Sequence, residues 1–316
     1  MKKFTYVDAK TVQEATTALA KGKAQVIAGG TDLITRLRGM ISPSAPDTLV
    51  NIKNIPNLSY IKEESGMLKI GALTKLVDIA KSSVVQSKYA ALAQAAGKVG
   101  TPELRNMGTI GGNLCQGVRC WYYRAEHNFF NCLRKNTSGI CYALVGDNRY
   151  HSIFGAASGC VAVNPSDTAP ALVALDAKIV TSKKTVNAAD FFTIKGEKTT
   201  VLDDDEIVTE IQVPTPATGV KSAFRKFAIR KAFDFPIVNC AAAIGGSNAK
   251  IVLNAVYNTP KVVTAAADAV KGKTIDNTVA AAAGAAAVTG AAALPNNKYM
   301  IQIAKTIVTR TVLDCK

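Results

Sequence analysis

Cysteine is the residue with the most evident chemistry in this sequence, because five of the seven cysteines lie between residues 115 and 160. Cys120, Cys132, Cys141 and Cys160 follow one another at steps of 12, 9 and 19 residues. These steps match neither the paired C-x-x-C motifs of a zinc knuckle nor the short ferredoxin motif. Four thiolates on one long loop suit zinc or an iron–sulfur cluster, and the spacing does not choose between them. Buried free cysteines in a core are the third interpretation.

The residues between these cysteines favour a shielded, charge-balanced site. Aromatic side chains would exclude water, and basic side chains would offset the negative charge of a thiolate-bound group. The aromatic residues are Trp121, Tyr122, Tyr123, Phe129 and Phe130, and the basic residues are Arg119, Arg124, Arg134 and Lys135. The two histidines, His127 and His151, could be ligands, although ordinary polar roles are commoner for histidine.

Two Gly-Gly segments have the composition of phosphate-binding loops. Residues 28–32, Ala-Gly-Gly-Thr-Asp, follow a predicted strand at 24–27 and precede a predicted helix at 33–38. Glycine lets the backbone approach a ligand closely, and a helix N-terminus offers free N–H groups. We expect Thr31 to add a hydroxyl donor and Asp32 to cap the helix. Residues 109–113, Thr-Ile-Gly-Gly-Asn, offer a second such surface, and neither segment fits the G-x-G-x-x-G or P-loop motif.

The predicted helices and strands that must position these segments group into three units along the chain. Residues 1–57 form a small α/β unit, residues 58–177 a second unit that carries the cysteine insert (115–160), and residues 215–316 a third. Gly100-Thr101-Pro102 is interpreted as a helix end followed by a turn. Further helices are predicted at 11–21, 75–82, 89–99, 167–175, 261–271, 279–294 and 297–313, and strands at 48–52, 67–72, 178–180, 222–229, 237–244 and 250–257.

Composition excludes several classes of function. The chain has 316 residues, 48% of them hydrophobic, so it can bury a sizeable core. Its net charge of +15 suits an acidic partner or an anionic cofactor as well as nucleic acid. Its basic residues are scattered, without the like-charged block of a nucleic-acid-binding arm, so we expect no nucleic-acid partner. The longest apolar run, 279–294, is too short and too weakly apolar to span a bilayer. Without an apolar run near the start, we expect a cytoplasmic chain unless a partner carries an export signal.

With the glycine loops and the insert taken together, the chain resembles the medium, FAD-binding subunit of the xanthine dehydrogenase (molybdenum hydroxylase) family over nearly its whole length. Residues 28–33 match the family's first flavin-binding loop, and residues 105–113 match the second. Residues 165–172 match the segment that follows, and residues 224–234 resemble the start of the C-terminal domain. The resemblance implies an α+β fold, with a two-part FAD-binding domain of the PCMH type at 1–214 and a C-terminal α+β domain at 215–316.

The resemblance also implies which residues bind cofactors. The insert is similar to that of a subset with a [4Fe–4S] cluster, which includes the flavin subunits of 4-hydroxybenzoyl-CoA reductase and of bacterial aldehyde oxidoreductases. The ligand role carries over to Cys120, Cys132, Cys141 and Cys160, whereas Cys115 lies where the family tolerates other residues. The positions implied for FAD are Val26, Ile27, Ala28, Gly29, Gly30, Thr31, Asp32, Leu33, Thr101, Thr109, Ile110, Gly111, Gly112, Asn113, Asp167, Val208 and Lys226.

The function implied by the resemblance is that of an electron-transfer subunit in an oxidoreductase. Substrate chemistry would occur at a molybdenum cofactor on a large partner subunit. A small partner subunit with [2Fe–2S] clusters would exchange electrons with the FAD, and the FAD with a soluble acceptor or donor. No Ser/His/Asp or paired-carboxylate arrangement is evident, so no catalytic residue is predicted. The alternatives are a stand-alone flavoenzyme with a zinc-stabilised insert and a non-enzymatic basic scaffold.

Overall fold

The first unit is a small parallel sheet with two crossover helices. The computed structural model describes residues 1–316. The sheet has the order β1-β3-β2, with β1 at Thr5–Asp8, β2 at Ala24–Ile27 and β3 at Thr48–Asn51. Parallel neighbours need a crossover connection, and these are α1 (Val12–Ala20) and α2 (Leu33–Arg38). The predicted elements of this unit are therefore present, and β1 is an additional strand.

The second unit is built on a five-stranded antiparallel sheet of order β4-β5-β10-β6-β7. Its middle strand, β10, pairs with β5 on one side and with β6 on the other, so the sheet extends well beyond residue 177. Helices pack on it around a core that includes Leu68, Ile70 and Leu172. The strands are β4 (Ile61–Glu64), β5 (Met67–Gly71), β6 (Lys178–Thr181), β7 (Thr185–Asn187) and β10 (Val208–Pro214). The helices are α3 (Leu76–Lys81), α4 (Ser83–Lys88), α5 (Ala90–Gly97), α6 (Pro102–Met107), α7 (Ile110–Leu114) and α8 (Thr168–Ala174).

The cysteine insert between α7 and α8 contains little regular structure. Its only helical turns are short 3-10 helices at Glu126–Asn128 and Tyr142–Leu144. Single bridges pair Cys132 with Ile140 and Ala157 with Cys160. A two-stranded hairpin, β8 (Phe192–Lys195) and β9 (Lys198–Thr200), lies beside the insert and accepts hydrogen bonds from Arg134.

The third unit is a four-stranded sheet, ordered β11-β12-β13-β14, covered on one face by helices. Side chains alternate along β12: Cys240 and Ala242 face the helices, whereas Ala241 belongs to the core of the second unit. The two units therefore pack through the sheet. The strands are β11 (Lys221–Phe227), β12 (Val238–Gly245), β13 (Asn248–Asn254) and β14 (Lys261–Val262), and the helices are α9 (Thr264–Asp268), α10 (Asn277–Ala286) and α11 (Tyr299–Leu313).

The α+β prediction is confirmed, and several local predictions are wrong. The helix predicted at 279–294 spans only Asn277–Ala286, because turns follow it. Thr101 and Pro102 do not form a turn but begin α6, because Thr101 accepts a hydrogen bond from Leu104 N and proline fits the first helical position. Residues 261–271 are not one helix: Lys261–Val262 pairs with β13, so the helix begins at Thr264. None of the helices has the length and apolar character that crossing a bilayer requires.

Candidate functional site

The first glycine loop, residues 28–32, runs from the end of β2 to the start of α2. Gly30 has a φ of +73°, a backbone conformation that glycine adopts without strain. Gly29 lies directly against the end of α6: a Cβ on Gly29 would be 2.2 Å from the carbonyl oxygen of Met107. That distance is far below van der Waals contact, so only glycine fits here.

The second glycine loop, residues 109–113, begins directly after Gly108, whose Cα a Cβ on Gly29 would also approach, at 3.0 Å. Thr109 caps α7, and its Oγ1 accepts a hydrogen bond from Gly112 N at 3.1 Å. Gly111 N donates to the carbonyl oxygen of Ala72 at 2.9 Å, and a Cβ on Gly111 would be 3.0 Å from that oxygen. The second loop is thereby fixed to the end of β5, and the two glycine loops form one continuous surface.

This surface forms part of the wall of a cavity of about 400 Å³, a size within the range of small-molecule and cofactor pockets. Ile27 and Ile110 are buried but do not line the cavity, and Thr101 caps α6 outside it. The other fourteen of the seventeen predicted FAD positions line it: Val26, Ala28, Gly29, Gly30, Thr31, Asp32, Leu33, Thr109, Gly111, Gly112, Asn113, Asp167, Val208 and Lys226.

The cavity wall also contains residues that were not predicted to bind FAD. Arg36 on α2 and Glu206 before β10 add charge, and residues 233–235, Phe-Asp-Phe, reach the cavity from the third unit. The exposed Phe233 and Phe235, at 45% and 41%, flank Asp234. An aromatic-acid-aromatic sequence between two strands was a signal that could have identified this segment.

A buried ion pair joins the second and third units at the cavity wall. Lys226 Nζ on β11 donates to Asp167 Oδ2 at 2.7 Å and to the carbonyl oxygen of Lys98 at 2.9 Å. Asn239 Nδ2 donates to the other carboxylate oxygen of Asp167 at 2.7 Å. Burial raises the pKa of Asp167, and the charge of Lys226 and its hydrogen bond counteract that effect. The pair places a hydrogen-bonded cation and anion on one side of the cavity.

The prediction that Asp32 caps α2 is wrong. Asp32 has φ −106° and ψ −48°, which is helical rather than the extended backbone of an N-cap, and its side chain makes no capping bond. The carboxylate instead accepts a hydrogen bond from Gly117 N at 3.0 Å and pairs with Arg124 Nη2 at 2.8 Å. Both partners belong to the cysteine insert, so a tertiary contact replaces the local one.

The insert brings three of the four predicted ligands into one small apolar cluster. Cys120, Cys132 and Cys160 are buried there, together with the ring of Tyr123, whereas Cys141 is half-buried and is not a member of this cluster. Ala162 N donates to Cys160 Sγ at 3.4 Å. Burial raises the pKa of the Cys120 thiol to about 12, so this thiol is protonated at neutral pH when nothing binds it.

Polar groups with unused hydrogen-bonding capacity surround this cluster. His151 is buried, its Nε2 lies 3.2 Å from Cys120 Sγ, and its Nδ1 has no partner. Burial lowers the pKa of His151 to about 4, so its ring is neutral. Arg134 is 3% exposed, and its Nε and Nη1 have no partner; the buried Nζ of Lys135 also has none. The Lys135 Nζ lies 5.1 Å from the centre of the Tyr123 ring.

The remaining cysteines lie elsewhere. Cys115 lines the cavity at the end of α7, and Cys240 and Cys315 are buried in the core of the third unit. All seven thiols are free. No three histidine, cysteine, aspartate or glutamate side chains are grouped so that they could hold a single metal ion. Exposed His127 lies on a turn and donates its backbone N–H to Gly39 O at 2.8 Å.

Comparison with known proteins identifies a matching family and several relatives. The family described as FAD binding domain in molybdopterin dehydrogenase matches residues 2–216. The Escherichia coli K12 aldehyde oxidoreductase FAD-binding subunit PaoB is 30% identical over 270 residues, which are 82% of this chain and 83% of that protein. The carbon monoxide dehydrogenase medium chain of Hydrogenophaga pseudoflava is 28% identical over 249 residues, 77% of this chain and 69% of that one.

Solved structures agree with the sequence match. A carbon monoxide dehydrogenase structure from Hydrogenophaga pseudoflava, lacking the Mo-pyranopterin moiety of its cofactor, superposes with a TM-score of 0.75 at 26% identity. The match covers 99% of this chain and 96% of that chain. The PCMH-type fold is thus shared along nearly the whole sequence, and the FAD-binding domain over residues 2–216. The chain belongs to the FAD-binding subunit family of molybdopterin-dependent dehydrogenases, the xanthine dehydrogenase or molybdenum hydroxylase family of oxidoreductases.

Proposed function

We propose that this chain binds one FAD in the cavity between its glycine loops and acts as the electron-transfer subunit of a multi-subunit molybdenum-dependent enzyme. The observation that carries the proposal is the contact of the two loops. Gly29 leaves no room for a side chain against Met107, and Gly111 leaves little against Ala72, so bare backbone faces the cavity from two sides. Backbone of this kind suits the diphosphate of a dinucleotide.

Different residues of the cavity would contact different parts of the FAD. The backbone of residues 29–31 and the start of α7 would hold the diphosphate, with Thr31 as an added donor. The Asp167–Lys226 pair supplies fixed polar groups to the cavity portion near the third unit. FAD supplies exchange of two electrons with one partner and of single electrons with iron–sulfur centres. The chain would bind and orient it, and the aromatic residues 233 and 235 would exclude water.

The partners follow from the family. We propose a large subunit with a molybdenum cofactor, where the substrate reacts, and a small subunit with [2Fe–2S] clusters that exchanges electrons with the FAD. A soluble acceptor or donor would complete the path. Relatives named as medium chains or FAD-binding subunits support this assembly. A stand-alone flavoenzyme is the competing proposal.

Purification of the chain from its native source distinguishes these proposals. We expect a flavin spectrum with about one FAD per chain, and co-purification with a molybdenum-containing large subunit and a small iron–sulfur subunit. A flavin-containing chain that purifies alone at high yield would favour the stand-alone enzyme. A colourless chain that does not take up added FAD would overturn both.

We further propose that Cys120, Cys132, Cys141 and Cys160 bind a [4Fe–4S] cluster. The support is the incomplete pairing of two basic side chains beside the cysteines. Arg134 donates only to the backbone carbonyls of Glu197 and Lys198 through Nη2, its Nε and Nη1 have no partner, and the buried Nζ of Lys135 has none. An unpaired buried charge is costly, and a thiolate-bound cluster carries the negative charge that would neutralise it. His151 beside Cys120 adds a polar neighbour of the kind that tunes such clusters.

Zinc is the alternative occupant of the insert, because four thiolates suit either metal. The resemblance of the insert to that of relatives with a [4Fe–4S] cluster supports iron. Metal analysis tests this directly: we expect about four iron per chain, whereas zinc without iron contradicts the cluster.

Matched variants test the ligand assignment. Cys132→Ser removes a proposed ligand from the insert, and Cys240→Ser removes a buried thiol from the third unit. We expect the first to lose its iron and the second to keep it. Iron at the level of the unmodified chain in Cys132→Ser would refute the assignment of that residue.

A further inference from the structure

The cysteine insert contacts the first glycine loop through a charged pair. The carboxylate of Asp32, the last residue of that loop, accepts a hydrogen bond from Gly117 N at 3.0 Å and pairs with Arg124 Nη2 at 2.8 Å. The two side chains are 23% and 19% exposed, so solvent screens the pair only in part. A loop that lines the cofactor cavity is therefore fixed by residues outside it.

Arg124 connects this contact to the body of the insert. Its Nε donates to the carbonyl oxygen of Val118 at 2.8 Å, and its Nη2 donates to that of Gly117 at 2.8 Å. One guanidinium thus holds the start of the insert and Asp32 together. Hydrogen bonds that involve a charged group are stronger than those between neutral groups. Replacing Arg124 therefore removes several strong hydrogen bonds at once.

The insert contacts α2 at two further points along its length. Arg36 Nη2 donates to Tyr123 Oη at 3.3 Å, and the backbone N–H of His127 donates to the carbonyl oxygen of Gly39 at 2.8 Å. Tyr123 is 1% exposed within the cysteine cluster, and its hydroxyl donates to Glu197 Oε1 at 3.1 Å. Arg36 itself lines the cavity. The helix that follows the glycine loop is therefore held at its start, middle and end.

We infer that the insert is part of the FAD-binding apparatus: through Arg124 and Tyr123 it holds Asp32, Arg36 and the first glycine loop in the position that forms the cavity. This inference rests on the proposed FAD site but not on the identity of the metal. Arg124 and Tyr123 are positioning residues, because they act through α2 and its loop. Disturbing them releases the loop and lowers FAD affinity, although neither residue lines the cavity.

Titration of FAD into the flavin-free, full-length chain tests the inference. Arg124→Met keeps the length of the side chain and removes its charge and hydrogen bonds. We expect its Kd for FAD to rise about tenfold, the size of a lost charge-assisted hydrogen bond. Arg149→Met is the control, since Arg149 is an insert arginine paired with Asp147 and exposed at 57%. Its Kd should equal that of the unmodified chain.

A double-variant cycle separates positioning from direct contact. If Arg124 acts through Asp32, Arg124→Met combined with Asp32→Asn binds FAD no more weakly than Asp32→Asn alone. Strictly additive losses would contradict positioning by this pair. Hydrogen exchange supplies a second readout: amides of residues 30–36 should exchange faster in flavin-free Arg124→Met than in Arg149→Met.

Tyr123→Phe keeps the test informative if Arg124→Met does not fold, because it removes only a hydroxyl. We expect a smaller rise in Kd, about threefold, from the loss of one hydrogen bond to Arg36. Equal FAD affinity in Tyr123→Phe, Arg124→Met and the unmodified chain would overturn the inference and leave the FAD proposal intact. Failure of the unmodified chain to bind FAD would overturn the FAD proposal instead.

Discussion

Replacing Gly29 by alanine tests the contact between the two glycine loops. The added Cβ would lie 2.2 Å from the carbonyl oxygen of Met107, 2.8 Å from its carbonyl carbon and 3.0 Å from the Cα of Gly108. All three are backbone atoms, so no side chain can rotate to make room. The loop must move away from the end of α6, and the wall of the cavity must open.

The expected magnitude follows from the cost of overpacking, about 1–3 kcal/mol when an added group forces the backbone to shift. If the shift separates the loops, binding FAD must restore their contact against that strain. The Kd for FAD should then rise about 5- to 140-fold, since 1.4 kcal/mol corresponds to a factor of ten. The unfolding temperature of the flavin-free chain should change little, because the loops can separate in that state and the strain is relieved.

Gly97→Ala is the matched control for this variant. Gly97 ends α5, and a Cβ there would meet only the Cβ of Ala80, at an ordinary 3.7 Å. Alanine is the better helix former, so the control should be equally stable or slightly more so. Quenching of flavin fluorescence during titration measures both affinities. A Gly29→Ala chain that binds FAD within twofold of the control would refute the proposed contact of the loops at the cofactor.

Three other substitutions have distinct expected outcomes. Lys226→Met leaves Asp167 buried without its cation and should cost about 3–5 kcal/mol of unfolding free energy in urea; unchanged stability would contradict the buried pair. Gly139→Ala places a Cβ 2.5 Å from the carbonyl oxygen of Asn131, beside Cys132, so bound iron per chain should fall, and full iron would argue against a site there. Gly284→Ala places a Cβ 2.1 Å from Thr309 Oγ1 and should destabilise the α10–α11 contact by about 1–3 kcal/mol, with iron unchanged; an unaltered unfolding temperature would be the contrary result.

Local patterns predicted much of the fold and of the cavity. The apolar spacing of the last helix indicates that Ile301, Ala304, Ile307, Val308 and Val312 face inward. The last four are buried, and Ile301 is partly buried against the same core. The first glycine loop was recognisable because a strand, a Gly-Gly pair and a helix follow one another in sequence. These features depend on residues within one or two turns of each other, where propensity and periodicity are informative.

Long-range contacts account for what the sequence could not provide. The capping rule failed at Asp32 because its partner, Arg124, is distant in sequence and a charged pair outweighs a local cap. The contact of Gly29 with Met107 depends on how α6 packs, which no local pattern contains. The segment Val208–Pro214 was not assigned, although Val208, Ile211 and Val213 are buried, because its central place in the sheet is set by pairing with two distant strands.

Stoichiometric binding of FAD by the full-length chain is the most direct test of the central claim. Flavin-free chain should take up one FAD with a saturable change in the flavin spectrum, and Gly29→Ala should weaken this binding while Gly97→Ala should not. A folded chain whose spectrum does not change at any FAD concentration would contradict the account.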